Sequence, residues 1–194
     1  DGNYFPSEGD FKIPIKTRAL NELRLVVIEI KQENVMHYLA WQSLAYADYY
    51  NLRMYGKPVY DQIVTLNQGL KDNEGWTVHG IDLSERIRKN PGSIYHIGME
   101  FGPQNTSLSC KAQLKQFKVN NKIPQNDFFT IRDNYYNDYY GYYEDYNWQE
   151  SNDPCKLAYY VNQQPVHKLF ICSDYSVIAK KAGSNYFIAL TKLM

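Results

Sequence analysis

The chain is poor in the residues from which most recognisable chemical sites are built. It has three cysteines and four histidines in 194 residues. Cys110, Cys155 and Cys172 form no CxxC pair, which argues against a zinc ribbon or a thioredoxin-type redox motif. His37, His79, His96 and His167 share no metal-binding spacing such as HExxH. There is no glycine-rich phosphate loop and no GxSxG, and the carboxylates form no distinctive pair. No metal and no cofactor is therefore expected, and no catalytic residue is nominated. Pairing Cys110 with a distant histidine as a thiol nucleophile has little to support it, because any chain with these counts permits it.

A surplus of positive charge is also lacking. Lys plus Arg and Asp plus Glu number 21 each, for a formal net charge of zero. A general nucleic-acid binder needs a basic stripe to neutralise phosphates, so that class is not expected. No apolar run approaches the roughly 20 residues of a membrane span. The chain opens on a polar segment at Asp1, with no signal peptide visible, so any leader is expected to have been removed or to lie outside this sequence. No internal repeat and no linker interrupts it, and its length suits one domain, 1–194, with a substantial core.

Tyrosine is abundant, with 19 residues against three Trp and eight Phe. Its ring buries apolar area while its hydroxyl keeps a hydrogen bond, which suits surfaces that pack and also bind. Much of it lies in one stretch, residues 133–148, with Asp138, Glu144 and Asp145 among Tyr135, Tyr136, Tyr139, Tyr140, Tyr142, Tyr143 and Tyr146, closing on Trp148. The stretch has neither helical nor strand periodicity and is read as a long excursion. Its functional reading is an aromatic, acidic recognition loop for a protein partner or a glycan; the bland one is a loop folded over the core.

The longest run without Pro or Gly extends from Thr17 to Tyr55. Leu20, Leu23, Val27 and Ile30 fall at helical spacing, followed by Val35, Leu39, Ala45, Tyr49 and Leu52. Thr17 suits an N-cap, and Gly56, Lys57 and Pro58 form a stop signal. The expectation is one long helix over 17–55. The β-branched run LVVIEI leaves an alternative open: a buried strand over Leu23–Ile30, then a helix from Glu33. A continuous helix spans about 58 Å at ~1.5 Å per residue, longer than the roughly 35–40 Å of a compact domain of this size. It therefore overhangs, and Leu20, Leu23, Val27 and Ile30 become an assembly face.

Before this run, residues 1–16 contain Pro6, Gly9 and Pro14 and read as an extended arm. After it, Tyr60–Leu70 and Asp82–Lys89 read as short helices and Trp76–Val78 as a strand. Asn90-Pro91-Gly92 is a turn. Ser93–Phe101 and Leu108–Val119 alternate and predict an antiparallel hairpin, while Lys156–Val161, His167–Cys172 and Tyr186–Leu190 read as later strands. Asp174–Ala182 is read as a helical turn or irregular chain. Cys155 and Cys172 flank the hairpin predicted from KLAYYV and HKLFIC and are the expected disulfide. Closing about 17 residues, it contributes roughly 3 kcal/mol in the chain-entropy model. A disulfide favours export, and Asn105-Thr-Ser107 is a glycosylation sequon. The fold class read from these elements is α+β: a long N-terminal helix packed on an antiparallel β-sheet over 76–194, with a cysteine-bounded C-terminal region.

Three stretches carry a resemblance to type IV pilins and pseudopilins. Thr17-Arg-Ala-Leu20 is similar to the segment where the helix leaves a fibre core. Ala47-Asp-Tyr-Tyr50, Met54-Tyr-Gly56 and Val59-Tyr60 resemble the helix end before the connecting loop. Phe170-Ile-Cys172 through Lys181, then Gly183–Leu190, resemble the last cysteine-bearing and terminal strands. The apolar half-helix of pilins is missing, and Pro6 and Pro14 depart from it. The resemblance implies a non-enzymatic, exported structural or assembly subunit at a cell surface, in the periplasm or secreted, that self-assembles or binds protein. The alternative is a soluble monomeric binding protein (an inhibitor, an immunity protein or a glycan-binding module) that uses the Tyr-rich loop.

Overall fold

In the computed structural model, residues 4–41, 49–66, 69–71, 75–102, 105–110, 148–150, 152–156, 159 and 166–192 are described. The long N-terminal helix is absent. Strand β1 is Tyr4–Phe5, β2 is Lys12–Thr17 and β3 is Glu22–Ile30; helices α1, Gln32–Trp41, and α2, Tyr49–Tyr55, follow. Then come β4 (Gly56–Thr65), β5 (Leu70–Lys71), β6 (Thr77–Asp82), β7 (Ile94–Glu100), β8 (Val166–Cys172), β9 (Tyr175–Ala182) and β10 (Asn185–Lys192). The fold is sandwich-like and mostly β, which corrects the α+β expectation.

The correction turns on Leu23–Ile30. Val and Ile restrict χ1 against a preceding helical turn and pack well on a pleated surface. The apolar run is continuous because both of its faces are covered, and a strand buried on both sides shows no alternation. The alternative of a strand followed by a helix is what the chain adopts. Thr17 ends β2 instead of capping a helix, and its hydroxyl lies 3.0 Å from His79 Nε2.

A five-stranded sheet runs β1-β8-β7-β3-β4, and a three-stranded sheet runs β2-β6-β5. Among the described strands, all pairings are antiparallel except that of β1 with β8. Leu23, Leu25 and Val27 of β3, with Tyr95 and Ile97 of β7, pack against Phe11, Ile13 and Ile15 at β2 and Ile81 of β6. The opposite face of the large sheet, Val26, Ile28, Ile30, Ile94 and Leu169, lies under Tyr38 of α1 and Leu52 of α2.

The remaining local readings divide. FKIPI forms β2 with a strict in–out alternation, so the N-terminal arm is part of the sandwich. The Gly56 stop holds: α2 ends at Tyr55 and β4 starts at once. A Cβ on Gly56 would lie 2.5 Å from Ile28 Cγ2 and 2.7 Å from the Leu52 carbonyl oxygen, so the corner is closed to any side chain. Tyr60–Leu70, expected as a helix, supplies half of β4 instead. Asp82–Lys89 makes a single turn, with Ile87 N–H donating to the Leu83 carbonyl at 2.9 Å. Ser93–Phe101 is β7, but its partners are β3 and β8, not Leu108–Val119, of which 111–119 lie outside the described residues. Asp174–Ala182 supplies β9 instead of a helical turn, and Tyr186–Leu190 lies within β10.

Val27 is fully buried in the central strand. Val27→Asp is expected to unfold the domain, with a loss of about 4 kcal/mol or more for an unpaired buried carboxylate. Gly56→Ala is expected to cost roughly 1–3 kcal/mol through overpacking. Urea denaturation followed by tyrosine and tryptophan fluorescence measures both; a Val27→Asp protein as stable as wild type would contradict this placement of β3.

Candidate functional site

The nominated assembly face is interior. Leu23, Val27 and Ile30 are at most 1% exposed within β3, and Leu20 is half-buried in an isolated bridge to Thr106. They came together on one helical face in the sequence reading; in a strand, Ile30 points to the side opposite Leu23 and Val27. Tyr135, Tyr136, Tyr139, Tyr140, Tyr142, Tyr143 and Tyr146 lie outside the described residues, and Trp148 begins a short 3-10 turn, Trp148–Glu150.

The expected Cys155–Cys172 bridge is replaced by Cys110–Cys155, with Cα atoms 5.5 Å apart. Cys172 is a free, buried thiol at the inner end of β8. Its N–H donates to the Ser93 carbonyl at 2.9 Å, and its own carbonyl accepts from Gly92 at 2.8 Å. That position belongs to the sandwich core, out of a surface loop's reach. The observed bridge spans 45 residues and so brackets the Tyr-rich stretch. In the chain-entropy model, closure of this length contributes about 4 kcal/mol.

The buried polar groups serve the fold. Glu29, on the sandwich face of β3, has Oε1 2.7 Å from Asn90 Nδ2, 3.0 Å from Ser93 Oγ and 3.3 Å from the Tyr95 hydroxyl. It pins the Asn90–Ser93 turn beneath the core. Burial pushes the Tyr95 hydroxyl well above its ordinary pKa, partly offset by the Asn90 N–H that it accepts at 2.8 Å. On the opposite face, Arg24 makes a two-pronged contact with Asp61, at 2.7 and 2.5 Å, and reaches Glu100 at 3.4 Å. Burial disfavours the guanidinium charge, but the Asp61 hydrogen bonds and both carboxylates outweigh it and raise its pKa. His96 and His167 stack at 5.4 Å between ring centroids on that same face. Among the described residues, no three His, Cys, Asp or Glu side chains are grouped to hold a metal ion.

The conspicuous surface is the hairpin of β9 and β10. Asn185 pairs with Ala182, so Gly183-Ser184 is a two-residue turn. Gly183 has φ +64°, suited to the first central position of a tight hairpin turn, where glycine is favoured. Every position of β10 is exposed. Tyr175, Ile178, Tyr186, Phe187, Ile188 and Leu190 range from 51% exposed at Tyr175 to 71% at Ile188. Exposed large apolar side chains gathered on one element in this way mark interaction sites. Sequence reading found Tyr186–Leu190 as a strand but not its exposure; YFIAL has the look of a core strand.

No family model matches the chain, and no curated protein matches it. Among solved structures, the fold is similar to native alpha-2-macroglobulin from Escherichia coli in a crystal structure spanning domains MG0-NIE-MG1. The TM-score is 0.50 at 15% identity, covering 99% of this chain and 43% of that one. At that identity the likeness concerns the fold alone. The chain spans less than half the length of that fragment.

Burial pushes the Cys172 thiol up to about 11. Alkylation of the native protein at pH 8 is therefore expected to leave all three cysteines unmodified; denaturation without reductant should expose one thiol, and reduction three, counted by intact mass. A raised thiol pKa stabilises the fold below the unfolded-state value, near 8.5, and that contribution is lost as pH rises through about 11. Cys172→Ala should therefore lose less stability than wild type over this window, as read from urea midpoints; parallel pH profiles would remove the assignment. Asp61→Ala, which takes the two-pronged partner from a buried guanidinium, is expected to cost about 3 kcal/mol, and Arg24→Met less.

Proposed function

We propose that this chain is a non-catalytic β-sandwich module of a larger exported protein of macroglobulin-like build, acting through protein–protein contact at the β9–β10 hairpin. The observation that carries the reading is the hairpin's exposed apolar surface, which includes Tyr186, Phe187, Ile188 and Leu190. Its six large apolar side chains have no ordinary place in water. The Cys110–Cys155 bridge supports an oxidising destination: secreted, periplasmic or at the cell surface. The fold likeness over 99% of the chain, to a fragment more than twice as long, supports a modular role.

The long helix on which a pilin's architecture rests is here a strand, Glu22–Ile30, and two short helices. A second role is favoured by the disulfide, which closes the Tyr-rich stretch into a covalent loop. In that role the loop recognises a protein or glycan.

The test is co-fractionation in extract of the native source, with wild type and a Phe187→Ser/Ile188→Ser double variant. The variant is expected to keep its fold and to elute as a free module while wild type elutes in a larger complex. Identical elution of the two would remove the hairpin from the reading. Ser in place of Tyr139, Tyr140, Tyr142 and Tyr143 is expected to leave this elution unchanged and to act only on the loop's own ligand.

A further inference from the structure

We propose that the outer edge of β10 is a docking site for an extended acidic strand of a protein partner, which adds as the third strand of the β9–β10 sheet. The proposal rests on the reading of the hairpin as a contact surface, and it names what that surface takes.

Among the described residues, the edges of the five-stranded and three-stranded sheets are blunted, while β9, the partner of β10, carries Lys180 and Lys181 along its outer edge. β4, at one edge of the large sheet, carries Pro58 and a register shift where Val27 and Ile28 pair with Tyr60 and Pro58, leaving Val59 over. β1, at the other edge, is two residues long. In the small sheet β2 holds Pro14, flanked by exposed Lys12 and Lys16, and β5 is again two residues long. Short strands, prolines, bulges and charges are the devices by which edges avoid pairing with other chains. The β9–β10 pair has an unbroken eight-residue register, no proline and no bulge. Along β10, Tyr186–Leu190 carries no charge. A two-stranded sheet is also marginal on its own and gains from a third strand.

Charge selects the occupant. The hairpin from Tyr175 to Lys192 holds Lys180, Lys181 and Lys192 and no carboxylate. The adjacent Asp174 carboxylate accepts from the Ser7 N–H and hydroxyl, both at 2.8 Å, and these bonds, with the weaker pull of the Lys192 and Lys89 charges, hold its pKa below the usual carboxylate value. Lys181 pairs with Tyr186 and Lys192 with Tyr175, so both lysines share a face with Tyr186, Ile188 and Leu190 and stand at its two ends. Six residues of β10 separate those ends, about 20 Å at strand rise. The matching strand has apolar residues facing that way and carboxylates about six residues apart. A second copy of this hairpin offers no carboxylate to either lysine. A lipid surface fits less well, because Ile178 and Phe187 are exposed on the opposite face. One flat apolar contact would leave them in water.

The probe is a fluorescein-labelled, terminally blocked peptide, Glu-Thr-Val-Thr-Val-Thr-Glu, titrated with the full chain and followed by anisotropy. Saturable binding is expected, at least tenfold tighter than that of the same peptide with both Glu replaced by Lys. A Lys181→Glu/Lys192→Glu variant should reverse that preference. Ile188→Lys, at an exposed position, should keep the thermal melt and weaken binding at least tenfold. Equal affinity for both peptides, or an unreversed preference in the charge-swapped chain, would overturn the proposal. So would a concentration-dependent dimer dispersed by Ile188→Lys, or binding to phosphatidylserine vesicles without binding to the peptide. If the peptide fails while Phe187→Ser/Ile188→Ser still releases the chain from its native complex, the strand proposal falls and the contact surface stands. If neither responds, both fall.

Discussion

Burial of both faces of β3 is the constraint on which the rest of the structure depends. Leu23, Leu25 and Val27 face the small sheet while Val26, Ile28 and Ile30 face the helices. A strand in this position needs hydrogen-bonded neighbours on both edges and a layer on both sides, since a buried unpaired backbone group is costly. β4 and β7 supply the edges. The β2-β6-β5 sheet supplies one layer and α1 with α2 the other. The Gly56 corner, which admits no Cβ, is what lets the chain leave α2 and return at once as the partner of β3.

The charges within this core belong to the same constraint. Glu29 and Arg24 stand near opposite ends of β3 and on opposite faces. Each is buried, so each needs partners, and each draws them from distant chain: Glu29 from the Asn90–Ser93 turn, Arg24 from β4 and β7. Removing one member of such a buried set is costly, because it leaves the other charge buried without its partner. With these groups satisfied inside the fold, contact with other molecules falls to surfaces that the sandwich leaves open. Among the described residues, the exposed β9–β10 hairpin is of that kind.

Elements whose signal is local were legible. The strands over Ser93–Phe101 and Tyr186–Leu190 and the Gly56 stop all follow from backbone preference and period. Leu23–Ile30 was ambiguous for a physical reason: a run apolar on both faces satisfies helical and strand spacing together, and only the layers on either side decide between them. Tyr60–Leu70 and Asp174–Ala182 were misread because each pairs with a strand that its own sequence does not announce. The candidate site was the least legible part. A disulfide partner depends on which cysteine the fold buries, and Cys172 is held in the core by β8.

The sequence by itself determined a neutral, tyrosine-rich chain without a recognisable catalytic or metal-binding motif. It also determined turns and strand patterns that rest on nearest-neighbour sterics. Tertiary structure decided that Leu23–Ile30 pairs into a sheet, that Cys110 joins Cys155, and that YFIAL lies open to solvent. Each of these depends on what stands across from a residue in space. Composition and period carry no record of that.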